Sequence, residues 1–367
     1  MPNLLLCMTP GVGLNTWKNI GSLDRELMPY VEYVKRGFTV RILTFDSEKT
    51  PRLPKGIEAI RFGSSKRLIL LPWLMRGLGA WADIIKTNQS NGAYYYAFAA
   101  RQWKKPLILR CGYVQGEYLE TTKGRTAKVM AYQRLEAWAF KSARHSLVPT
   151  KALSEWVNKK YGISNDRISI IPNFIDTSLF RPIKGIIKKE RSVVSVGRLA
   201  PVKRFDLLIK ACAGISGCEL TLAGEGPEKE NLKTLAQSLG VNLTLTGNVP
   251  NEKLPKLIQE HGAFAMTSLR EGHPKALIEA MACGMPCIAV KARGTENLIE
   301  HMKTGLLVKG DAMEVKNGLE LLFSDAGIAS SMSENARRFA STNYDFECII
   351  SKEIGISEGI LKALAST

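Results

Sequence analysis

The stretch Ala263-Phe264-Ala265-Met266-Thr267-Ser268-Leu269-Arg270-Glu271-Gly272-His273-Pro274-Lys275-Ala276-Leu277-Ile278-Glu279 contains three kinds of sequence in succession. Residues 263–267 form a short apolar run of the kind buried on both faces of a parallel sheet. A polar loop follows around Glu271-Gly272-His273, and Pro274 suits the first turn of a helix, where no N–H is needed. Such a helix start leaves free amides at the positive end of its dipole and so forms an anion site. Glu271 stands before the helix and Glu279 about one and a half turns into it. One carboxylate can then face the centre of a site while the other reaches a ligand further along. Glu279 is flanked by Leu277, Ile278, Ala280 and Met281, surroundings in which an acid needs a partner; a solvated helix position is the alternative.

The same strand–loop–helix pattern recurs on either side. The run 192–196 ends at Gly197, then Arg198-Leu199-Ala200-Pro201-Val202-Lys203 leads to a helix at 206–213. A guanidinium fork and an ammonium beyond a strand's carboxyl end suit a diphosphate, with a pair of surface cations as the alternative. The run 219–223 closes on Gly224-Glu225-Gly226-Pro227, and 243–246 closes on Gly247-Asn248-Val249-Pro250; both also fit plain turn chemistry. Upstream, strands are predicted at 4–8, 39–43, 84–86, 107–110, 147–148 and 168–171, with helices such as 22–35 and 127–140 between them. A turn-rich stretch, Pro172-Asn173-Phe174-Ile175-Asp176 through Phe180-Arg181-Pro182, separates the two series and suits a hinge. The expectation is an α/β chain of two Rossmann-like α/β/α domains facing a central cleft, with ligands beyond the carboxyl ends of the strands. The final segment, 348–364, reads as a helix that returns to the first domain. Gly11-Val12-Gly13 follows the first strand, but Thr16 replaces the third glycine of a dinucleotide fingerprint, which leaves only a close approach of backbone to ligand.

The 367 residues carry 51 Lys+Arg against 34 Asp+Glu, and the excess is uneven. Residues 1–186 hold 29 basic and 13 acidic side chains, whereas 187–367 hold 22 and 21. A field confined to one half points to an anionic partner: nucleic acid, membrane or a phosphorylated substrate. With 45% hydrophobic and 23% charged residues, the chain is neither disordered nor a coiled-coil rod. Seven cysteines with no CxxC pair read as buried thiols in a reducing compartment. Met1-Pro2-Asn3-Leu4-Leu5-Leu6 lacks the basic flank and long apolar core of a signal peptide, and no run reaches the ~18 residues of a membrane span. No P-loop, HExxH, GxSxG or Asp-x-Asp occurs, and the histidines (His145, His261, His273, His301) lack metal-ligand spacing, so no metal site is expected. Arg61, Lys66, Arg67 and Arg76 beside Trp73, Leu74 and Trp81 suit an element in a membrane interface, with an amphipathic helix docked on the sheet as the alternative.

Taken together, these motifs resemble the retaining glycosyltransferases of family 4, which have the GT-B fold. The resemblance rests on Gly197-Arg198-Leu199 with Lys203, Gly224-Glu225-Gly226-Pro227, Glu271-Gly272-His273-Pro274 with Glu279-Ala280-Met281-Ala282-Cys283-Gly284-Met285-Pro286, the linker Ile171–Asp176, and Thr304-Gly305-Leu306-Leu307-Val308. It is dense over 165–345 and holds only in outline before that. It implies an acceptor-binding domain at 1–178, a nucleotide-sugar donor-binding domain at 179–345, and a C-terminal helix at 346–367 packing on the first domain. Arg198 and Lys203 would hold the donor diphosphate in place of a metal, and Glu279 would accept from ribose hydroxyls. Glu271 would contact the transferred sugar and steady positive charge at its anomeric carbon, which makes Glu271, Lys203 and Arg198 the catalytic candidates. Amides around Gly272, His273, Pro274, Lys275 and Ala276 would touch sugar and phosphates. Gly224 and Glu225 would line the donor site, with Asn248 and Val249 near the base, uridine or guanosine. Gly13 would leave room beneath the diphosphate. The implied partners are a hexose-type nucleotide sugar, with no further cofactor, and a glycan or lipid-linked acceptor of cell-surface polysaccharide or lipopolysaccharide type. An anionic membrane would be met by the basic half, at the inner face of the cell membrane. A GT-B nucleotide-sugar binder or epimerase without transfer is the alternative. A nucleic-acid binder is disfavoured because it explains neither Glu271 and Glu279 nor the near-neutral second half. Departures from the pattern are Arg204 where glycine is common, Arg293-Gly294 for Gly-Gly, and Cys111-Gly112-Tyr113 where many relatives carry a histidine.

Overall fold

A computed structural model describes residues 1–366, which divide into two compact units. The first comprises Met1–Pro172 and the chain from Ile349 onward, and the second Asn173–Cys348. The chain thus divides at 172/173 and 348/349, where the motif reading drew its boundaries at 178/179 and 345/346.

Unit 1 is a seven-stranded parallel sheet with helices on both faces, formed by β1 (Asn3–Cys7), β2 (Thr39–Thr44), β3 (Ile57–Arg61), β4 (Ile84–Thr87), β5 (Leu107–Arg110), β6 (His145–Val148) and β7 (Ile168–Ile170). The strand order is β3-β2-β1-β4-β5-β6-β7. Leu4, Leu5 and Leu6 pair with β2 on one side and β4 on the other and are wholly buried, as an unbroken apolar run demands. Strand β3 escaped the apolar-run criterion because it is an edge strand, with Glu58 facing solvent and bonded to Arg41 of β2 at 2.9 Å.

Unit 2 is a six-stranded parallel sheet in the order β10-β9-β8-β11-β12-β13. Its strands are β8 (Lys189–Val196), β9 (Glu219–Ala223), β10 (Asn242–Gly247), β11 (His261–Met266), β12 (Cys287–Val290) and β13 (Leu306–Val308). Alternate residues feed two separate cores. Val193, Ala263 and Ala265 enter one, and Val194, Phe264 and Met266 enter the other. Helices covering both faces are what make these strands apolar throughout.

The last helix, Phe346–Ala365, packs on unit 1 through Ile350, Ile354 and Ile360. It also delivers Glu353, 3% exposed, to Lys86 of β4, 1% exposed, and to Arg110 Nε of β5 at 3.2 Å. Tyr33 Oη and Ser357 Oγ share a hydrogen bond of 2.7 Å alongside. Residues 65–81 form a 3₁₀ turn (Ser65–Leu70) and short helices (Leu71–Leu74 and Arg76–Trp81). This element is docked through Leu68, Leu71, Pro72 and Leu78, while Ile69, Leu70, Trp73 and Leu74 remain exposed.

Candidate functional site

In unit 2 the chain builds β8, β9 and β10 outward in one direction, then returns to place β11, β12 and β13 on the other side of β8. The loops leaving β8 and β11 therefore adjoin where the strand order reverses, at the carboxyl ends of the strands, the position at which open α/β sheets bind ligands. Those two loops carry Lys203 and Glu271, whose side chains meet as an ion pair at 2.5 Å. The loops are locked together from behind. Thr267 Oγ1, at the end of β11, donates to the carbonyls of Lys203 and Arg204 at 3.0 Å each, and Leu269 N–H donates to Val202 O at 2.9 Å.

Arg198 lies in the same β8 loop, is exposed, and its guanidinium meets no partner among the described residues. Arg204 has φ 49°, in the left-handed region, which accounts for the glycine common at this position. Its side chain donates to Gly310 O at 3.0 Å instead. The β9 loop approaches the β8 loop so closely that a Cβ on Gly224 would stand 2.0 Å from Gly197 O. Glu225 O accepts from Leu199 N–H at 3.0 Å, while its carboxylate takes Lys229 at 2.9 Å. Gly224 N–H donates to Gly247 O at 2.8 Å, so Asn248 and Val249 adjoin the same rim, Asn248 exposed and Val249 half-buried.

Glu271 is held by its backbone: its N–H donates to Arg293 O at 2.9 Å, and Gly294 (φ 95°) passes so near that a Cβ there would lie 2.6 Å from Glu271 O. Here the second glycine of the expected Gly-Gly pair is required and the first is not. Gly272, Lys275 and Ala276 are half-buried, and Pro274 caps the helix Lys275–Ala282. Glu279 is 2% exposed in that helix, which overturns the solvated-position alternative. His273 is buried, and burial first, with Lys275's charge second, lowers its pKa to about 4. Its neutral Nδ1 accepts from Asn173 N–H at 3.2 Å, and its carbonyl accepts from Asn173 Nδ2 at 2.6 Å. In the sequence Asn173 reads only as part of the linker.

In unit 1, Gly13 lies at the corresponding switch point, beyond β1 where β4 joins it on the other side from β2. A Cβ on Gly13 would stand 2.1 Å from Asp46 Oδ1. Asp46 accepts from Leu14 and Asn15 N–H at 2.8 and 2.9 Å and from Thr44 Oγ1 at 2.7 Å. The room that glycine provides is thus taken by a carboxylate of the same chain. In the loop after β5, burial pushes the Cys111 thiol well up, so it offers no thiolate. Glu136, wholly buried, accepts from Gln115 and Gly116 N–H at 3.1 and 2.7 Å and from Tyr161 Oη at 2.7 Å, which fixes where that loop enters its helix. The signal for Lys86 and Glu353 was present in the sequence as a charge inside Ile84-Ile85-Lys86-Thr87 and an acid beside Ile354. Among the described residues no group of three His, Cys, Asp or Glu is placed to hold a metal ion, and six of the seven cysteines are buried.

Comparison with known proteins bears on this arrangement. Residues 176–339 match the family described as glycosyl transferases group 1, and residues 31–179 match glycosyltransferase family 4. A GDP-mannose-dependent alpha-(1-6)-phosphatidylinositol monomannoside mannosyltransferase of Mycobacterium tuberculosis is 30% identical over 208 residues, 50% of this chain and 54% of that protein. A UDP-Gal:alpha-D-GlcNAc-diphosphoundecaprenol alpha-1,3-galactosyltransferase of Escherichia coli is 28% identical over 274 residues, 70% of each chain. In the alignments at 30% identity, the chain spans about half the length of the curated relatives it matches. Among solved structures, Anabaena HepE in complex with UDP and glucose superposes with TM-score 0.77 at 20% identity, covering 100% of both chains. Sucrose-phosphate synthase from Thermosynechococcus elongatus superposes with TM-score 0.81 at 20% identity, covering 99% of this chain and 100% of that one. These two establish the fold. With two parallel α/β units, the group 1 signature on the second and the family 4 signature on the first, the chain belongs to the family 4 glycosyltransferases of GT-B fold.

Proposed function

We propose that the chain is a retaining glycosyltransferase that moves a hexose-type sugar from a UDP- or GDP-sugar to a glycan or lipid-linked acceptor. The observation that carries this reading is the meeting of Lys203 and Glu271 at the switch point of unit 2, with Arg198 exposed in the same β8 loop as Lys203. Lys203 and Arg198 take the donor diphosphate, whose negative charge grows as the bond from the anomeric carbon to phosphate oxygen breaks. Fixed cations aimed at developing charge lower such a barrier most. Glu271, released from its pairing with Lys203 as the diphosphate arrives, steadies the positive charge at the anomeric carbon. The acceptor hydroxyl bonds that carbon from the face the diphosphate leaves, and its proton passes to the departing phosphate oxygen, so configuration is kept. Glu279 serves the ribose hydroxyls and the Gly272–Ala276 backbone the sugar and phosphates, while Gly224, Glu225, Asn248 and Val249 line the nucleotide.

The names of the relatives above support both nucleotides and a lipid-linked acceptor. The exposed Ile69, Leu70, Trp73 and Leu74 beside Lys66, Arg67 and Arg76 suit a peripheral position on an anionic inner membrane face. No helix among the described residues is long and apolar enough to cross a membrane. The test is a thermal-shift panel of nucleoside diphosphates and their sugars, followed by donor turnover with EDTA present. One nucleotide should raise the melting temperature in proportion to the logarithm of its concentration over Kd. Turnover should survive EDTA and fall about 10²–10³-fold in Lys203→Ala, the loss typical of one charge-stabilising donor. Binding without turnover in any acceptor extract would favour the non-transferring alternative.

A further inference from the structure

Just inside unit 2, the two segments through which the chain passes between the units are bound to each other. Ile175 N–H donates to Tyr344 O at 2.8 Å, and Phe346 N–H donates to Ile175 O at 2.9 Å. Thr177 Oγ1 donates to the Asp345 carboxylate, and the Phe174 and Phe346 rings meet edge to face at 4.9 Å. This clasp is joined to the Glu271 loop through His273. Two hydrogen bonds run between His273 and Asn173, the first residue of unit 2, and the His273 ring packs edge-on against Tyr344 at 4.8 Å. His273 therefore touches both strands of the clasp, from a position two residues beyond Glu271. An imidazole Nδ1 that accepts a backbone N–H must be neutral with its proton on Nε2, and burial keeps it so.

We propose that His273 is a positioning residue that couples the Glu271 loop to the clasp, so that a change in the loop is read at Asn173–Thr177 and Tyr344–Phe346, and the reverse. A residue that only filled core space would need the ring alone. The coupling needs the Nδ1 acceptor, because among the described residues the Asn173 N–H has no other partner with which to register the loop. The reciprocity is thermodynamic: whatever the loop does to the clasp, the clasp does equally to ligand affinity at the loop.

The test uses the full chain in four forms: wild type, His273→Phe, His273→Asn and Asn173→Ala. Phenylalanine keeps a ring against Tyr344 and loses the acceptor. Asparagine restores an acceptor oxygen near the Nδ1 position without the ring. Amide hydrogen exchange is followed without ligand at 173–177 and 344–346, with the melting temperature as the measure of folding. Exchange there should rise at least about 5-fold in His273→Phe, and stay close to wild type in His273→Asn and in Asn173→Ala, which keeps the backbone N–H to Nδ1 and loses only the Nδ2 bond to the His273 carbonyl. Unchanged exchange in His273→Phe, or exchange in His273→Asn or Asn173→Ala equal to that in His273→Phe, overturns the proposal. A second arm adds UDP or GDP and rests on the donor reading. In wild type the nucleotide that raises the melting temperature should slow exchange at the clasp, whereas in His273→Phe it should slow exchange only at 268–275. Slowing at the clasp in both refutes the coupling. If neither nucleotide shifts the melting temperature of wild type, the donor reading fails while the ligand-free arm still decides the coupling.

Discussion

Replacing Glu353 by glutamine keeps the shape of the side chain and removes the one carboxylate bonded to both Lys86 and Arg110. Lys86 is 1% exposed on a central strand, and its other polar neighbour is Tyr30 Oη at 3.5 Å. Burial lowers the Lys86 pKa, with the Glu353 charge opposing that shift, while the two cations hold Glu353 below the usual carboxylate range against its own burial. Breaking a buried pair from one side costs about 3–5 kcal/mol, because the remaining charge is stranded. At about 2–4 °C per kcal/mol for a unit of this size, the melting temperature should fall by about 6–20 °C. The pH dependence has a definite sign. Wild-type Glu353 contributes stability above its unfolded pKa, and that contribution is lost as pH falls through its lower folded value. In Glu353→Gln, Lys86 has lost its partner, so its folded pKa drops further below the unfolded value near 10.4. The unfolded chain then binds more protons between those values, and the variant should regain stability as pH rises toward 10. Adding Lys86→Met should recover much of the loss at pH 7, since the stranded charge is gone. Calorimetry, with hydrogen exchange of β4 and β5 to localise the change, is the assay. A variant that melts within about 2 °C of wild type, or a double variant no more stable than the single, would refute the reasoning.

Three further outcomes are expected. Gly13→Ala forces a methyl into the Asp46 carboxylate, 2.1 Å away, and should lower stability by about 1–3 kcal/mol; an unchanged urea midpoint would show that the space is not filled as described. His273 has a folded pKa of about 4 against an ordinary value near 6.5, so the stability it contributes is complete above about pH 6.5 and fades as pH falls toward 4. That amounts to about 3 kcal/mol, read as the difference between wild type and His273→Asn, because His145 and His261 are shifted down as well and cancel in the comparison. Trp73→Ser with Leu74→Ser should weaken binding to anionic vesicles, and each basic neighbour removed should cost about 1 kcal/mol more. Retention that ignores both the substitutions and salt would rule out this patch as the membrane contact.

The donor half was largely readable because its residues of interest stand in contiguous loops. Arg198, Lys203, Glu271 and Glu279 each follow a recognisable strand, and once the strands are ordered the loops of β8 and β11 have to converge. The last segment was legible as a helix, but its isoleucines require only a core, and which unit supplies it was set by the fold. Less could be read where two distant segments supply one interaction. Lys86 and Glu353 lie on elements at opposite ends of the chain, and neither makes sense without the other. Asp46 fills the space under Gly13 because β2 lies beside β1, so the glycine's use was legible as close approach but its occupant was not.

The amino-acid sequence by itself determined the alternation of buried strands and helices, the place of the loops that carry charge, and the imbalance between a basic and a near-neutral half. These follow from local periodicity and composition, which act over a few residues. The tertiary structure alone decided which charges meet. It paired Lys203 with Glu271, buried Glu279, placed Glu353 between two cations, and tied His273 to Asn173 and Tyr344. Coulomb and hydrogen-bond energies depend on distances of a few ångströms, and such distances between remote residues are set only when the sheets are ordered and packed.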